Sequence, residues 1–385
     1  MAQPKKILIV CGEPSGDLHA SNLVKDIKSL DSSVSFFGMG GELCKKAGVD
    51  TVFDISDLAL VGLVEVLKNI FTVGKAYSAV LKAADAEKPD LAILVDYPGF
   101  NLRIARALSR KSIPVVYYIS PQVWAWGRDR IDIIKKCVKK ILVLFKFEEE
   151  LYKTYDVDVE FVGHPLVDTV KPSRTKEETL KKYGIKPGEK VIALLPGSRK
   201  IEISRLLPAM LGAAGMIDKK IDTCRFIVSK HSSISKELYD SFINAGSGTD
   251  PKPVNIDLIE GDVYNLLSSA DFAVVASGTA TLETAIIGLP HIIVYSTNPV
   301  TAYIARAIMK VDHLGIANII AGRRIVPELW QEEVTPENIS KLVLDLLSDK
   351  TKLSAAKSDL AAVKTSLGSS GASLRAARSV LSLLS

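Results

Sequence analysis

The sequence predicts two doubly wound α/β domains facing each other across a cleft, followed by C-terminal helices. Three observations carry this expectation. Short, almost wholly apolar strands alternate with helical patterns, as parallel sheets covered on both faces require. The 385 residues exceed what one ordinary core holds. The alternation then restarts after a polar break at Thr169–Thr175, which contains Lys171-Pro172-Ser173. The expected division is 1–168, 169–350 and a helical tail over 351–385.

The elements follow in order. Strands of the first domain read at Ile7–Val10, Val34–Gly38, Thr51–Phe53, Leu91–Val95, Val115–Ile119, Ile141–Leu144 and Glu160–Val162. In the second domain they read at Val191–Leu195, Arg225–Val228, Phe272–Val275 and His291–Tyr295. Helical spacing of Leu342, Leu346 and Leu347 marks the tail. Its last helix, Ala372–Leu384, is expected to pack on the first domain or on a second subunit, as in a homodimer.

Composition excludes several classes. A net charge of +5 is too weak to argue for nucleic acid, but it suits anionic substrates or an anionic membrane surface. The four cysteines are scattered without C-x-x-C spacing, so neither a zinc site nor a disulfide framework is expected, and a reducing cytoplasm fits. No run approaches the roughly 20 apolar residues of a membrane span. The segment Asp57–Phe71 is apolar almost all round, which means burial or an exposed lipid-facing side.

Candidate site residues cluster where strands end. Gly12-Glu13-Pro14-Ser15-Gly16-Asp17-Leu18-His19 joins the first strand to a helix. Glu13, Asp17 and His19 are more ionisable groups than a connecting turn needs, although Ser15 or Asp17 could simply cap the helix. Gly38-Met39-Gly40-Gly41 lacks the third glycine of a dinucleotide fingerprint, since position 43 is Leu43. It reads as a tight turn near a ligand. Asp96 directly follows the strand Leu91–Val95, with Asn101 a natural helix cap nearby. Trp124 and Trp126 are either core or an apolar wall for a sugar ring or acyl chain. His164 ends the last strand before the linker.

In the second domain, Gly197-Ser198-Arg199 and Ser277-Gly278-Thr279 each join a strand to a helix, where free amides and Arg199 can hold phosphate. Glu283, one turn further on, can accept from a ribose or stand exposed. No metal-ligand spacing occurs, so the phosphate charge must be met without a metal.

These motifs, together with Asn318 and Ala321-Gly322-Arg323, resemble the lipid-A-disaccharide synthase family along essentially the whole chain. The resemblance implies Rossmann-like domains in the GT-B arrangement. It also implies metal-free, cofactor-free, inverting transfer of 2,3-diacylglucosamine from its UDP conjugate to the 6-hydroxyl of 2,3-diacylglucosamine 1-phosphate (lipid X). The product is a β-1,6 disaccharide 1-phosphate, made at the cytoplasmic face of the inner membrane. The segment containing Leu63, Val66 and Leu67 would then touch lipid.

Asp96, Glu13 and Asp17 are the expected base candidates, with Asp96 first. Substrate contacts are expected from Ser15, His19, Asn101, Trp124 and His164 in the first domain. In the second they are expected from Ser198, Arg199, Ile259, Ser277, Gly278, Thr279, Glu283 and Asn318. One departure stands out. Many members carry an acid immediately before Phe100-Asn101, and here the position is Gly99. The rival functions are a UDP-sugar 2-epimerase and a non-catalytic nucleotide-sugar binder.

Overall fold

The computed structural model of the chain describes residues 4–58, 65–125, 127–246, 254–298 and 313–384, with the backbone alone at 65–70 and 245–246. Two compact units result. The first comprises Met1–Pro165 and Leu367–Ser385, and the second Leu166–Ser366. The tail is therefore divided. Helix Lys350–Ser366 stays with the second unit, and helix Ala372–Leu381 belongs to the first.

The first unit is built on seven parallel strands. They are β1 (Lys6–Cys11), β2 (Ser35–Gly40), β3 (Val49–Asp54), β4 (Leu91–Val95), β5 (Val115–Tyr118), β6 (Lys140–Val143) and β7 (Val159–Phe161). Their spatial order is β3-β2-β1-β4-β5-β6-β7. Central strands read as continuous apolar runs because both faces are covered. Leu8 and Val10 enter one core, while Ile7, Ile9 and Cys11 enter the other. The order reverses between β1 and β4, and open α/β sheets bind ligands at such a reversal, beyond the strands' carboxyl ends.

The second unit repeats this plan with β8 (Lys190–Leu195), β9 (Cys224–Lys230), β10 (Ile256–Glu260), β11 (Phe272–Ala276), β12 (His291–Tyr295) and β13 (Glu328–Trp330). The order is β10-β9-β8-β11-β12-β13, so its reversal lies between β8 and β11. The sequence pattern does not reveal β10 and β13. Both are edge strands. β10 is mostly half-buried and interrupted by Asp257, and β13 has only three residues.

The turn expected at Gly38-Met39-Gly40-Gly41 is corrected, since its first three residues lie within β2. Gly38 has φ +144°, and a Cβ there would fall 2.0 Å from the Ile9 carbonyl oxygen. Glycine serves close approach of β2 to β1, not a ligand turn. The last helix packs Ala376, Ala377 and Val380 into the core beside β1. Arg375 Nε donates to the Val162 carbonyl at 2.8 Å, and Ser379 Oγ donates to Glu160 at 2.6 Å.

Most of the apolar segment 57–71 lies outside the described residues, Leu63 wholly and Val66 and Leu67 as side chains. At its ends, Leu58 packs against the core and Phe71 is 73% exposed. No described helix is long and apolar enough to cross a membrane.

Candidate active site

The loops after β1 and β4 flank the first reversal and touch each other. Asp96 and Tyr97 both sit in the left-handed region, at φ +49° and +48°. Side chains rarely adopt that conformation, so neighbours must hold it. The Asp96 N–H donates to the Tyr118 carbonyl at 3.0 Å. Its carbonyl accepts from Asn101 Nδ2 at 2.7 Å and from the Tyr117 hydroxyl at 2.6 Å. The Tyr97 ring lies over Gly12, where any Cβ would meet it at 2.1 Å. Glycine at 12 is therefore required by this contact. Asp96 is half-buried, and burial followed by the nearby Glu13 charge raises its pKa. Glu13 is exposed, at the N-cap of helix Pro14–Leu30, and Ser15 is exposed beside it.

Asn101 and Asp17 take positions different from those expected. Asn101 is fully buried and does not cap its helix. Its Nδ2 also donates to the Val95 carbonyl at 3.1 Å, so it fastens the end of β4. Asp17 is 4% exposed. Its carboxylate accepts from the amides of Gly41 at 2.8 Å, Leu43 at 3.0 Å and Cys44 at 3.1 Å. It caps the short helix Glu42–Lys46 from a distance, which explains its burial better than proton transfer does.

Cys11, Cys44 and Asp17 lie within 4.8 Å of one another. Their donor capacity is already used. Cys11 Sγ reaches the Met39 carbonyl, Cys44 Sγ the Asp17 carbonyl, and the hydrogen bond and charge of its neighbours, with burial, push the Cys44 thiol far up. A protonated thiol is not a metal ligand.

Beside the β5 and β6 ends stands an aromatic row. The Trp124 indole meets the Phe147 ring edge-on at 5.5 Å, Phe147 stacks on Phe145 at 5.4 Å, and Phe145 lies 5.2 Å from His164. Trp126 lies outside the described residues. His164 is buried. Burial, helped by His19, lowers it to about 3, and burial lowers His19 as well. Burial therefore favours the neutral form of both rings. Behind them lies Glu148, which sequence reasoning missed. It is 3% exposed, and burial lifts its carboxyl to about 7. Its only sequence signal is a glutamate three residues after a helix N-cap, and that signal does not reveal burial.

The second reversal is flanked by the other two expected loops. Gly197 has φ +109°, and helix Lys200–Asp218 follows. The amides of Ser198 and Arg199 are not free. Glu202 Oε2 accepts from them at 3.1 and 3.2 Å, and Glu202 Oε1 holds Arg199 Nη1 at 2.6 Å. The Arg199 side chain remains 79% exposed. Ser277 is half-buried, while Gly278 and Thr279 are exposed at the start of helix Thr279–Ile287. Glu283 accepts from the Tyr264 hydroxyl at 2.9 Å, and burial raises its pKa. Ile259 is buried in β10.

Asn318, expected to touch substrate, is fully buried. Its Oδ1 accepts from the amides of Ile325 and Val326, both at 2.8 Å. Its Nδ2 donates to the Val326 carbonyl at 2.8 Å and to Glu328 at 2.6 Å. It braces the segment leading into β13.

Comparison with known proteins settles which of the possible chemistries this scaffold serves. The profile of the lipid-A-disaccharide synthetase family matches residues 7–380. The lipid-A-disaccharide synthase of Geobacter metallireducens is 42% identical over 383 residues, covering 100% of this chain and 98% of the relative. The chain belongs to the lipid-A-disaccharide synthase family. The enzyme of Syntrophus aciditrophicus is 41% identical, covering 99% and 98%.

Membership of the lipid-A-disaccharide synthase family makes the protein a glycosyltransferase of lipid A biosynthesis acting on lipid A precursors. Among solved structures, the calicheamicin glycosyltransferase aligns with TM-score 0.61 at 16% identity, covering 100% of this chain and 99% of its own. The UDP-GlcNAc 2-epimerase of Neisseria meningitidis, bound to UDP-GlcNAc, aligns at 0.58 and 12%, covering 98% and 99%. These likenesses show a GT-B-like fold shared by transferases and epimerases. The full-length family match decides for transfer.

Proposed function

We propose that the first unit binds 2,3-diacylglucosamine 1-phosphate and the second binds the UDP of UDP-2,3-diacylglucosamine, with Asp96 as general base. Asp96 takes the proton of the acceptor 6-hydroxyl. The freed oxygen pair forms the new bond to the anomeric carbon, from the side opposite the diphosphate. The bond from that carbon to the diphosphate oxygen breaks, and UDP leaves with the pair. The result is an inverted, β-1,6-linked disaccharide 1-phosphate. The observation that carries this reading is the pinned left-handed turn, which fixes a half-buried carboxylate at a sheet reversal. Raising its pKa toward the working pH favours proton abstraction.

On the donor side, Ser198, Arg199 and Ser277–Thr279 meet the diphosphate, and Glu283 receives the ribose hydroxyls. Ile259 borders the uracil ring, and Trp124 walls the acceptor sugar or an acyl chain. Ser15, His19 and His164 line the acceptor. Asp17, Asn101 and Asn318 act as positioning residues. Because both substrates carry acyl chains, the protein works as a peripheral protein at a membrane surface. Its net charge of +5 and the exposed Phe71 support this.

The test is incubation of the purified protein with both substrates in detergent micelles containing EDTA. The expected products are UDP and the disaccharide 1-phosphate in equal amounts. UDP without disaccharide, or turnover only after a divalent metal is restored, would contradict the mechanism.

A further inference from the structure

Glu148 is unlike the other glutamates three residues into a described helix. Glu178 and Glu202 close their helix starts at the surface, each with partners no more than four residues away. Glu148 also accepts from its own N-cap, the Phe145 amide, at 3.3 Å through Oε2. Its other oxygen serves a different element. Oε1 accepts from Ser120 Oγ at 2.8 Å and from Trp124 Nε1 at 3.2 Å. Those donors lie 28 and 24 residues upstream, on the loop that follows β5.

A helix cap does not require a carboxylate at 3% exposure, because burying that group costs free energy unless its partners compensate. Here the compensation comes from the loop. The same loop is held a second time by the edge contact of Trp124 on Phe147, which is part of Glu148's own helix.

We propose that Glu148 is the positioning residue of the Ser120–Trp124 loop, holding the Trp124 indole as a fixed wall for the acceptor. The proposal rests on the reading of Trp124 as an acceptor contact. Glu148 touches neither reacting atom. It acts by keeping the indole from swinging away, so acceptor binding finds the wall already in place.

The test uses the full-length protein and steady-state kinetics with saturating donor. Trp124→Ala tests the underlying reading, since loss of the wall should raise the acceptor KM. Glu148→Ala should also raise it, by about 10- to 100-fold as expected when the buried Ser120 and part-buried Trp124 donors lose their acceptor. The donor KM should stay unchanged and kcat should fall much less. In a Trp126→Phe, Trp330→Phe background, the Trp124 fluorescence of Glu148→Ala should become more accessible to acrylamide. Replacing the Trp124 indole by its benzothiophene isostere (3-benzothienylalanine) keeps the bicyclic ring and removes only the N–H donor, so it should raise the acceptor KM to a smaller degree.

An unchanged acceptor KM in Trp124→Ala would defeat the reading and the proposal together. A raised KM in Trp124→Ala with an unchanged KM in a folded Glu148→Ala would defeat the proposal alone, leaving Glu148 a helix cap. If Glu148→Ala does not fold, the benzothiophene isostere at Trp124 decides. A raised acceptor KM supports the hydrogen bond's role, and an unchanged one overturns it.

Discussion

Beyond the strand ends of the first sheet several polar groups are sunk into the protein, whereas the glycine-bearing turns after β8 and β11 stand at the surface. Asp17, Asn101, Glu148 and His164 are all buried, and Asp96 is half-buried with a raised pKa. Ser198, Arg199, Gly278 and Thr279 are all exposed. The first six strands of each sheet follow the same order, so strand order does not cause the difference. Proton transfer benefits from a desolvated carboxylate whose pKa is displaced. Holding a diphosphate needs accessible amides and a cation, and deep burial would only hinder entry. The contrast supports the proposal that the first unit carries the chemistry and the second binds the leaving group.

The strongest way to break that contrast is Asp96→Asn. It should lower kcat by roughly 10²–10⁴-fold with both KM values little changed. Steady-state kinetics would check this. Wild-type kcat in Asp96→Asn, with Glu13→Gln inactive, would move the base to the exposed N-cap. Next comes Arg199→Ala, which should cost on the order of 2–4 kcal/mol of transition-state stabilisation while the melting temperature holds. Retained turnover in a micelle assay would leave the second reversal without its cation.

The buried groups of the first unit also predict opposite pH effects on stability. Glu148 keeps its proton in the fold up to about 7, whereas in the unfolded chain it ionises near 4.5. Its contribution is therefore full below 4.5 and is lost as pH rises through 7, by on the order of 3 kcal/mol. His164 works the other way. The unfolded chain takes up its proton near 6.5 and the fold resists until about 3, so stability falls as pH drops through that interval. Urea midpoints of Glu148→Gln from pH 4.5 to 8 should lose the first slope and keep the second. An unaltered slope would mean that Glu148 is already ionised in the fold.

Asp17→Asn should cost about 1–3 kcal/mol of stability, because an amide group cannot accept from three backbone N–H groups. The folded fraction should keep kcat within a few-fold. A collapse of kcat at unchanged stability would return Asp17 to the base candidates. The smallest effect is expected from Glu202→Ala. That carboxylate now occupies the Ser198 and Arg199 amides. Removing it should tighten UDP binding by a few-fold, about 1 kcal/mol or less. Calorimetric titration with UDP would read it, and weaker binding would show that Glu202 orients Arg199 for the ligand.

Much of this was legible in one dimension. Continuous apolar runs located the buried strands, with Leu91–Val95 and His291–Tyr295 matching to the residue, because a strand covered on both faces leaves no room for polar side chains. The turns at Gly12, Gly197 and Gly278 were placed at strand ends, since tight turns from strand to helix have a narrow chemistry, whereas Gly38-Met39-Gly40 lies inside β2. The edge strands β10 and β13 were not legible, because a half-covered or three-residue strand carries little periodic signal.

The sequence by itself determined the two-sheet plan, the four loops at the reversals and the family. It also marked Gly99 as the position where the chain departs from the pattern the resemblance leads one to expect. Only the tertiary structure decided what each ionisable side chain does. Asp17 and Asp96 are both aspartates shortly beyond a strand end, yet one is filled by three amides from a distant helix start and the other is left with a raised pKa. Glu148 and Glu202 share a position three residues into a helix, yet one is sealed under a loop and the other lies at the surface. Local sequence fixes backbone geometry and apolar periodicity. Burial and hydrogen-bond partners come from residues far away in the chain, and for a carboxylate those two quantities set both its pKa and its role.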